Sequence, residues 1–498
     1  MKNKYYLTGR AVYLTCTSTL RLQVEGNLGY CMLASLLLVQ LSKCLVTAAA
    51  GASSSSSSSP YGPPGKYLYR VRPVLGPTRF DVTTFGAVGD NRTNDTLALQ
   101  KALDACAASK TGGVVLFPAS SHAAGAGPSI YLSEPLYLTD ATGCAIVLAP
   151  GATLFALAWS GPLPPFASTP RSSTARQDRL NLGSSEVSFL NIDTCISCAI
   201  GGGGTINGNG PAWWSNQDSK VRPKLISIKN SRDFALWNFT ATDGGDHTIE
   251  LGADDVEVAY MEIVVNWTQA FNPHGLVGGP QAPNTDGIDV HGTPFWVHHT
   301  HIDVGDDNVA VHASNVLVED CHFGGPAFGT SAPHGHGASI GSVGSNERLE
   351  NITFRRILFE NTHVGPNIKI HGDAVDGYVR NVVYEDLVIH NASLMNLDVH
   401  CDYGEGKGLE GHSGPTPAPT PTTPGNRFVV SNILFRNITA TGTYKLGRFD
   451  CSDKVRCENI TMVDIHSDPP RPDPNDYVCS NVTGSALNVV PPIPCLHD

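Results

Sequence analysis

After about residue 110 the chain settles into one recurring pattern. Three or four residues alternate apolar and polar, a turn follows, and a second alternating run closes the unit. "LISIKNSRDFALWNFTATDG", "HTIELGADDVEVAYMEIVV", "GIDVHGTPFWVHHTHIDVG", "NVAVHASNVLVEDCHFG", "ASIGSVGSNERLENITFRRILFEN", "NIKIHGDAVDGYVRNVVYEDLVIHN" and "NLDVHCDYG" all follow it, spaced by about 20–30 residues. Period-two alternation predicts strands that bury one face. A unit this short cannot bury that face alone, but stacked units share a continuous core. A β-sandwich would need more hairpin turns than the sequence offers. The predicted fold is therefore all-β, a single-stranded right-handed parallel β-helix. One helix precedes it, in "TNDTLALQKALDACAAS", where Asp95 or Thr96 can cap and Leu97, Leu99, Ala102, Leu103 and Cys106 recur near helical spacing. It is expected to close the N-terminal end of the coil.

The first residues differ from this pattern. Residues 1–51 read as an N-terminal targeting segment, with an apolar run from Cys31 to Gly51 that ends in small residues and is interrupted by Gln40, Ser42 and Lys43. The interruptions make it a poor membrane span; export is the expectation, a membrane anchor through 31–51 the alternative, and Met32 an alternative start. Residues 52–78, rich in Ser, Pro and Gly, read as a linker, leaving 79–498 for the β-helix.

Composition narrows the function. Charged residues are only 16% of 498, glycine is frequent at 51, and the net charge is −12. Few charges and many glycines suit short strands and turns rather than long helices. A negative surface excludes non-specific nucleic-acid binding, so an anionic substrate would require locally concentrated cations. Of 13 cysteines, three lie in the leader and an even ten remain, which suits disulfides in an exported protein. Cys451 with Cys457 and Cys479 with Cys495 are close enough to staple loops. Cys195-x-x-Cys198 admits a weaker zinc or redox reading. Asn-x-Ser/Thr sequences at Asn91, Asn94, Asn238, Asn266, Asn351, Asn391, Asn437, Asn459 and Asn481 permit glycosylation, although Asn also simply suits β-turns. A stapled β-helix needs no partner to bury its core, so a monomer is expected, without stable membrane association.

The candidate chemistry lies in "NTDGIDVHGTPFWVHHTHIDVGDDNVAVHASN". Asp286 and Asp306 each precede an alternating strand, about one coil apart, and Asp307 follows directly. His336 in "PHGHGASIG" precedes the next strand and Lys369 in "NIKIHG" lies one rung further. Singly, each is an ordinary turn or surface residue. Together they form a column in which like charges raise one another's pKa values. That supplies what acid–base hydrolysis needs, one carboxyl kept protonated and others ionised to activate water. No cofactor or metal is needed for it.

These residues resemble the polygalacturonases of glycoside hydrolase family 28, from about Phe80 to Cys495. The opening "FDVTTFGAVGDNRTNDTLALQKALDAC", the stretch "GGGGTINGNGPAWW" and then "NTDG", "GDD", "GHG" and a partial R-I-K follow in the family's order; "FDCSDKVRCENITMVDI" resembles plant-type members. The resemblance implies an inverting hydrolase of α-1,4-galacturonan links in pectin. It implies that Asp306 is the general acid, that Asp286 and Asp307 activate water, and that His336 supports the acid. It makes Lys369 a contact for a substrate carboxylate, sets Asn284 beside the cleft, and, through "CDYGEG", makes Tyr403 a substrate contact. Asn367 stands where the family has arginine, a weaker substrate-binding residue that puts the sugar in doubt rather than the reaction. Rhamnogalacturonan or xylogalacturonan is therefore the alternative substrate. A calcium-dependent pectate lyase does not need the acid set, and a non-enzymatic carbohydrate-binding β-helix has no reason to keep it.

Overall fold

The computed structural model describes residues 75–119, 128–158, 188–214, 222–266, 282, 284–326, 334–401, 427–468 and 477–496. It also gives the backbone of three strands, Lys2–Leu7, Arg10–Thr15 and Arg21–Val24, which form an antiparallel sheet of their own within a separate unit of residues 1–62. The apolar run 31–51, most of the linker and Tyr403 lie outside the described residues. Among those residues no helix is long and apolar enough to cross a membrane.

The second unit is one 29-stranded sheet that begins at Arg79–Asp81 and winds as a right-handed parallel β-helix. Each coil contributes to three faces, and like residues stack on like. One ladder runs Leu136, Leu190, Ile226, Ile249, Ile288, Val309, Ala338. A second runs Val256, Phe295, Val316, Ile352, Val382, Ile433, Ile460. A third runs Ile263, Ile302, Phe323, Phe359, Ile389, Ala440. All are buried, so the alternation of each short strand becomes a continuous column of apolar contact.

The corners need residues that tolerate left-handed backbone. Asn315, Asn351, Asn381, Asn432 and Asn459 stack there, all with φ between 55° and 60°. From Asn351 onward each amide donates to the side-chain carbonyl oxygen of the asparagine before it in the row, at 3.2, 3.5, 3.2 and 2.9 Å. Asparagine suits both demands, since it visits this region and bonds through its short side chain. On other corners the Asn391 amide donates to Asn361 Oδ1 and the Asn437 amide to the Asp386 carboxylate. Four of the nine candidate glycosylation asparagines thus act as structural ladder residues.

The helix is Thr96–Ala108, with Leu99, Ala102, Leu103 and Cys106 buried against the first coils. Leu97, counted in the apolar spacing, instead stands 69% exposed. Asp95 occupies the N-cap without a side-chain cap bond. Its carboxylate accepts from the Val88 and Gly89 backbone N–H groups, at 2.7 and 3.1 Å, and so ties the preceding turn to the helix start. Disulfides join Cys106–Cys144, Cys195–Cys198, Cys451–Cys457 and Cys479–Cys495. The last two are the expected staples. The Cys195–Cys198 bridge is buried and internal to one turn, which removes the zinc reading and leaves its sulfurs enclosed. Cys321 is buried and unpaired.

Candidate active site

The chemistry gathers where the chain enters the strands of the first face. Ile288 pairs with Val309 and Val309 with Ala338, so Asp286, Asp307 and His336 occupy the same position two residues upstream on three successive rungs. The Gly287 N–H donates to the Asp307 carbonyl at 2.8 Å and the His336 N–H to the Asp306 carbonyl at 3.0 Å. The residue in register with Asp286 is thus Asp307, with Asp306 one position earlier. Lys369 belongs to the strand Pro366–His371 itself and reaches back, its ammonium donating to Asp307 Oδ2 at 2.7 Å.

Local sequence fixes this geometry. Gly335 and Gly337 flank His336 with φ of 88° and 69°. A Cβ on Gly335 would lie 2.6 Å from Asn308 Oδ1, and one on Gly337 would lie 2.2 Å from the Val364 carbonyl oxygen. Only glycine fits on either side of that histidine. Asn308, fully buried, donates to the Ile302 carbonyl at 2.9 Å and accepts from the Gly337 N–H at 2.8 Å, locking the acid turn to the histidine turn. Asn284 has φ 54° and accepts a 2.9 Å hydrogen bond from Arg222, a guanidinium with no exposed surface that also meets the Gly245 carbonyl and Asp246. Asn284 is thereby held by a buried cation beside the acids.

The three carboxyls are not equivalent. Burial opposes ionisation of Asp307, but the Lys369 ammonium and His336 outweigh it and hold the carboxyl well below the usual range. Burial also opposes ionisation of Asp306; the His336 ring, with Nδ1 3.0 Å from Asp306 Oδ1, again prevails and lowers it. Asp286 goes the other way. Burial and then the charge of Asp306 push it well above the ordinary carboxylate value, against the pull of His247. Burial disfavours the His336 imidazolium, yet Asp306 and Asp307 raise it to about 10. The surroundings therefore favour ionised Asp306 and Asp307 and a charged His336, and favour the protonated form of Asp286.

His336 links pH to stability. Its pKa rises from 6.5 to about 10 on folding. That contribution is present in full below about pH 6.5 and is lost as pH rises through about 10. Thermal unfolding midpoints should fall across this window, and His336→Gln should flatten the slope there.

The sequence column omitted His247. It precedes Ile249 as Asp286 precedes Ile288, and those two strands are in register. Its Nδ1 lies 2.9 Å from Asp289 Oδ2 and its Nε2 lies 3.7 Å from Asp286 Oδ1. Its place two residues before a strand was the available signal. His247, Asp286 and Asp289 cluster closely enough to hold a metal ion, as do Asp306, Asp307 and His336. In each cluster the carboxylates raise the histidine pKa, so a metal ion binding there would have to displace a proton.

Asn367 is only 3% exposed, and both ends of its amide are occupied. It donates to Ser339 Oγ at 2.9 Å and accepts from Asn396 Nδ2 at 2.9 Å; Ser339 in turn donates to Asp307 Oδ1 at 2.7 Å. The residue standing in place of arginine thus joins a relay that ends on the Asp307 carboxylate.

A family model described as glycosyl hydrolases family 28 matches residues 172–488, and one described as rhamnogalacturonase A/epimerase, pectate lyase-like, matches residues 79–121. A probable polygalacturonase of Arabidopsis thaliana is 25% identical over 427 residues, 84% of this chain and 80% of its own length. An exopolygalacturonase structure from Thermotoga maritima superposes with a TM-score of 0.59 at 16% identity, covering 84% of this chain and 90% of that one. An endo-xylogalacturonan hydrolase structure from Aspergillus tubingensis superposes with a TM-score of 0.59 at 18% identity, covering 84% and 99%. At such identities the two structures speak to the fold alone.

Proposed function

The chain belongs to glycosyl hydrolases family 28, and on that premise we propose that it hydrolyses α-1,4-galacturonosidic bonds of pectin and polygalacturonate by acid–base catalysis with inversion. The observation that carries this reading is the row Asp286, Asp307, His336 with Asp306 beside it, in which burial and neighbouring charges push the carboxyl pKa values in opposite directions. Asp286 and Asp306 act as an interacting pair that shares one proton. As the glycosidic bond lengthens, the departing oxygen draws that proton through Asp306. Asp307, ionised and held by Lys369 and Ser339, and Asp286, once deprotonated, orient and activate the attacking water. His336 keeps Asp306 positioned. Lys369 offers its charge to a sugar carboxylate. Asn284 borders the cleft, and Tyr403 is proposed as a substrate contact from the sequence alone. The leader is proposed to export the enzyme to the cell wall.

Chromatography of a polygalacturonate digest over time tests this reading, and proton NMR of the first products tests inversion. New reducing ends should appear first as the β-anomer, opposite to the bond cleaved. An initial α-anomer would exclude the single-displacement route.

The rate should follow a bell-shaped pH curve with its optimum below neutrality. Asp307 must be ionised, so activity rises as pH climbs through its lowered pKa. The Asp286–Asp306 proton must be present, so activity falls as pH climbs through the raised one. His336→Gln removes the charge that holds Asp306 and Asp307 down, and should shift the acid limb to higher pH. An alkaline optimum would instead fit proton abstraction by a lyase.

One observation favours a branched or esterified pectic glycan. The arginine position is Asn367, and its amide is already occupied.

A further inference from the structure

The row that carries the acids continues past His336. Val364 bridges to Ser393, the Gly365 N–H donates to the Ser393 carbonyl at 3.0 Å, and the Leu394 N–H donates to the Lys445 carbonyl at 2.9 Å. Lys445 therefore occupies the pre-strand position three rungs beyond His336, about 14 Å along the coil axis at the usual strand spacing. Tyr444 follows the row of Asp306, one position earlier. Its hydroxyl donates to the His363 carbonyl, its ring centroid is 6.4 Å from that of His363, and the His363 ring is 5.3 Å from His336. Tyr444 is 51% exposed. Lys445 is exposed and has no ion-pair partner among the described residues.

The other cations of these rungs are engaged. The Lys369 ammonium lies on Asp307. Arg448 sits 3.2 Å from Asp398 and also meets Asp450. Desolvation and the charges of His336, Lys445 and Lys369 push His363 down to about 4, so this imidazole is neutral near its working pH. An exposed aromatic ring beside an exposed ammonium, joined through His363 to His336, is a surface suited to a planar-faced anionic sugar.

We propose that Tyr444 and Lys445 form a uronate subsite two to three rungs beyond His336, in which the Tyr444 ring stacks on a sugar face and the Lys445 ammonium pairs with an unesterified carboxylate. The subsite restores, at a different place in the cleft, the carboxylate recognition that buried Asn367 no longer provides. It rests on the reading of the cleft as a pectic-glycan site.

The test compares wild type, Lys445→Gln, Lys445→Arg and Tyr444→Phe on unesterified polygalacturonate and on highly methyl-esterified pectin, with a thermal midpoint for each protein. Lys445→Gln should lose about fivefold or more in kcat/KM on the unesterified polymer, mainly through KM, and less than about twofold on the esterified one. Lys445→Arg should keep most of the activity, since the charge remains. Tyr444→Phe should also keep it, since the ring remains. An equal loss on both polymers, or none, in a Lys445→Gln protein with a wild-type midpoint would overturn the subsite while leaving the hydrolase reading intact. A wild type that cleaves neither polymer would overturn the reading of the cleft as a galacturonan site instead. Calorimetric binding of trigalacturonate to wild type and Lys445→Gln then decides the subsite, and equal affinities would refute it.

Discussion

Asp306→Asn should lower kcat at least a hundredfold, and up to about ten-thousandfold, with KM nearly unchanged. Asparagine keeps the size of the side chain, and its carbonyl oxygen can still accept the 3.0 Å bond from His336 Nδ1 and the 3.0 Å bond from the Asp307 N–H. What it loses is the group that passes a proton to the departing oxygen, which matters only as the bond breaks, so the loss falls on kcat rather than on substrate binding. It also removes the negative charge that raises Asp286. The variant's residual alkaline limb should therefore move to lower pH. Steady-state kinetics on polygalacturonate check both points. A variant retaining more than about a tenth of wild-type kcat would mean that Asp306 does not carry the proton.

Tyr384→Ala should destabilise the protein by about 3–5 kcal/mol, the range for emptying a large buried aromatic site. Phe354, Tyr384 and Phe435 are stacked on three consecutive rungs, with ring centroids 4.9 and 5.4 Å apart and interplanar angles of 4° and 5°. The Tyr384 hydroxyl donates to the Ala338 carbonyl at 3.1 Å. Ala338 begins the strand that follows His336, so the same side chain supports both the core and the histidine turn. Tyr384→Phe retains the stack and loses only that bond, at a cost of about 1 kcal/mol. Urea unfolding separates the two variants. Equal losses in both would shift the explanation from the stack to the hydrogen bond.

Much of the fold was legible because a β-helix repeats one simple rule. Alternation places Ile288 and Val290, then Val309 and Val311, in the core, and puts Asp286 and the Asp306–Asp307 pair at equivalent strand starts. The exact partner was not legible, because coil length varies: the Ile288–Val309 pairing sets Asp307, not Asp306, in register with Asp286. Lys369 was assigned to the right rung, yet only its long side chain brings it to Asp307. Asn367 shows the limit of substitution by alignment. Its position marks it as a substrate contact, whereas its burial and its bonds to Ser339 and Asn396 depend on neighbours 28 and 29 residues away. His247 carried the same pre-strand signal as Asp286, with Asp246 directly before it, but it lies one rung earlier, outside the motifs that mark the acids. Arg222 offered no signal, because its burial is set by Gly245, Asp246 and Asn284 together.

The acid row is proposed to perform hydrolysis without a metal ion. Its most direct test is a polygalacturonate digest in excess EDTA, read at once for new reducing ends and for the ultraviolet absorbance of unsaturated uronates. Reducing ends should rise steadily, unaffected by the chelator, with no unsaturated product. Unsaturated ends, or activity abolished by EDTA and restored by calcium, would contradict it.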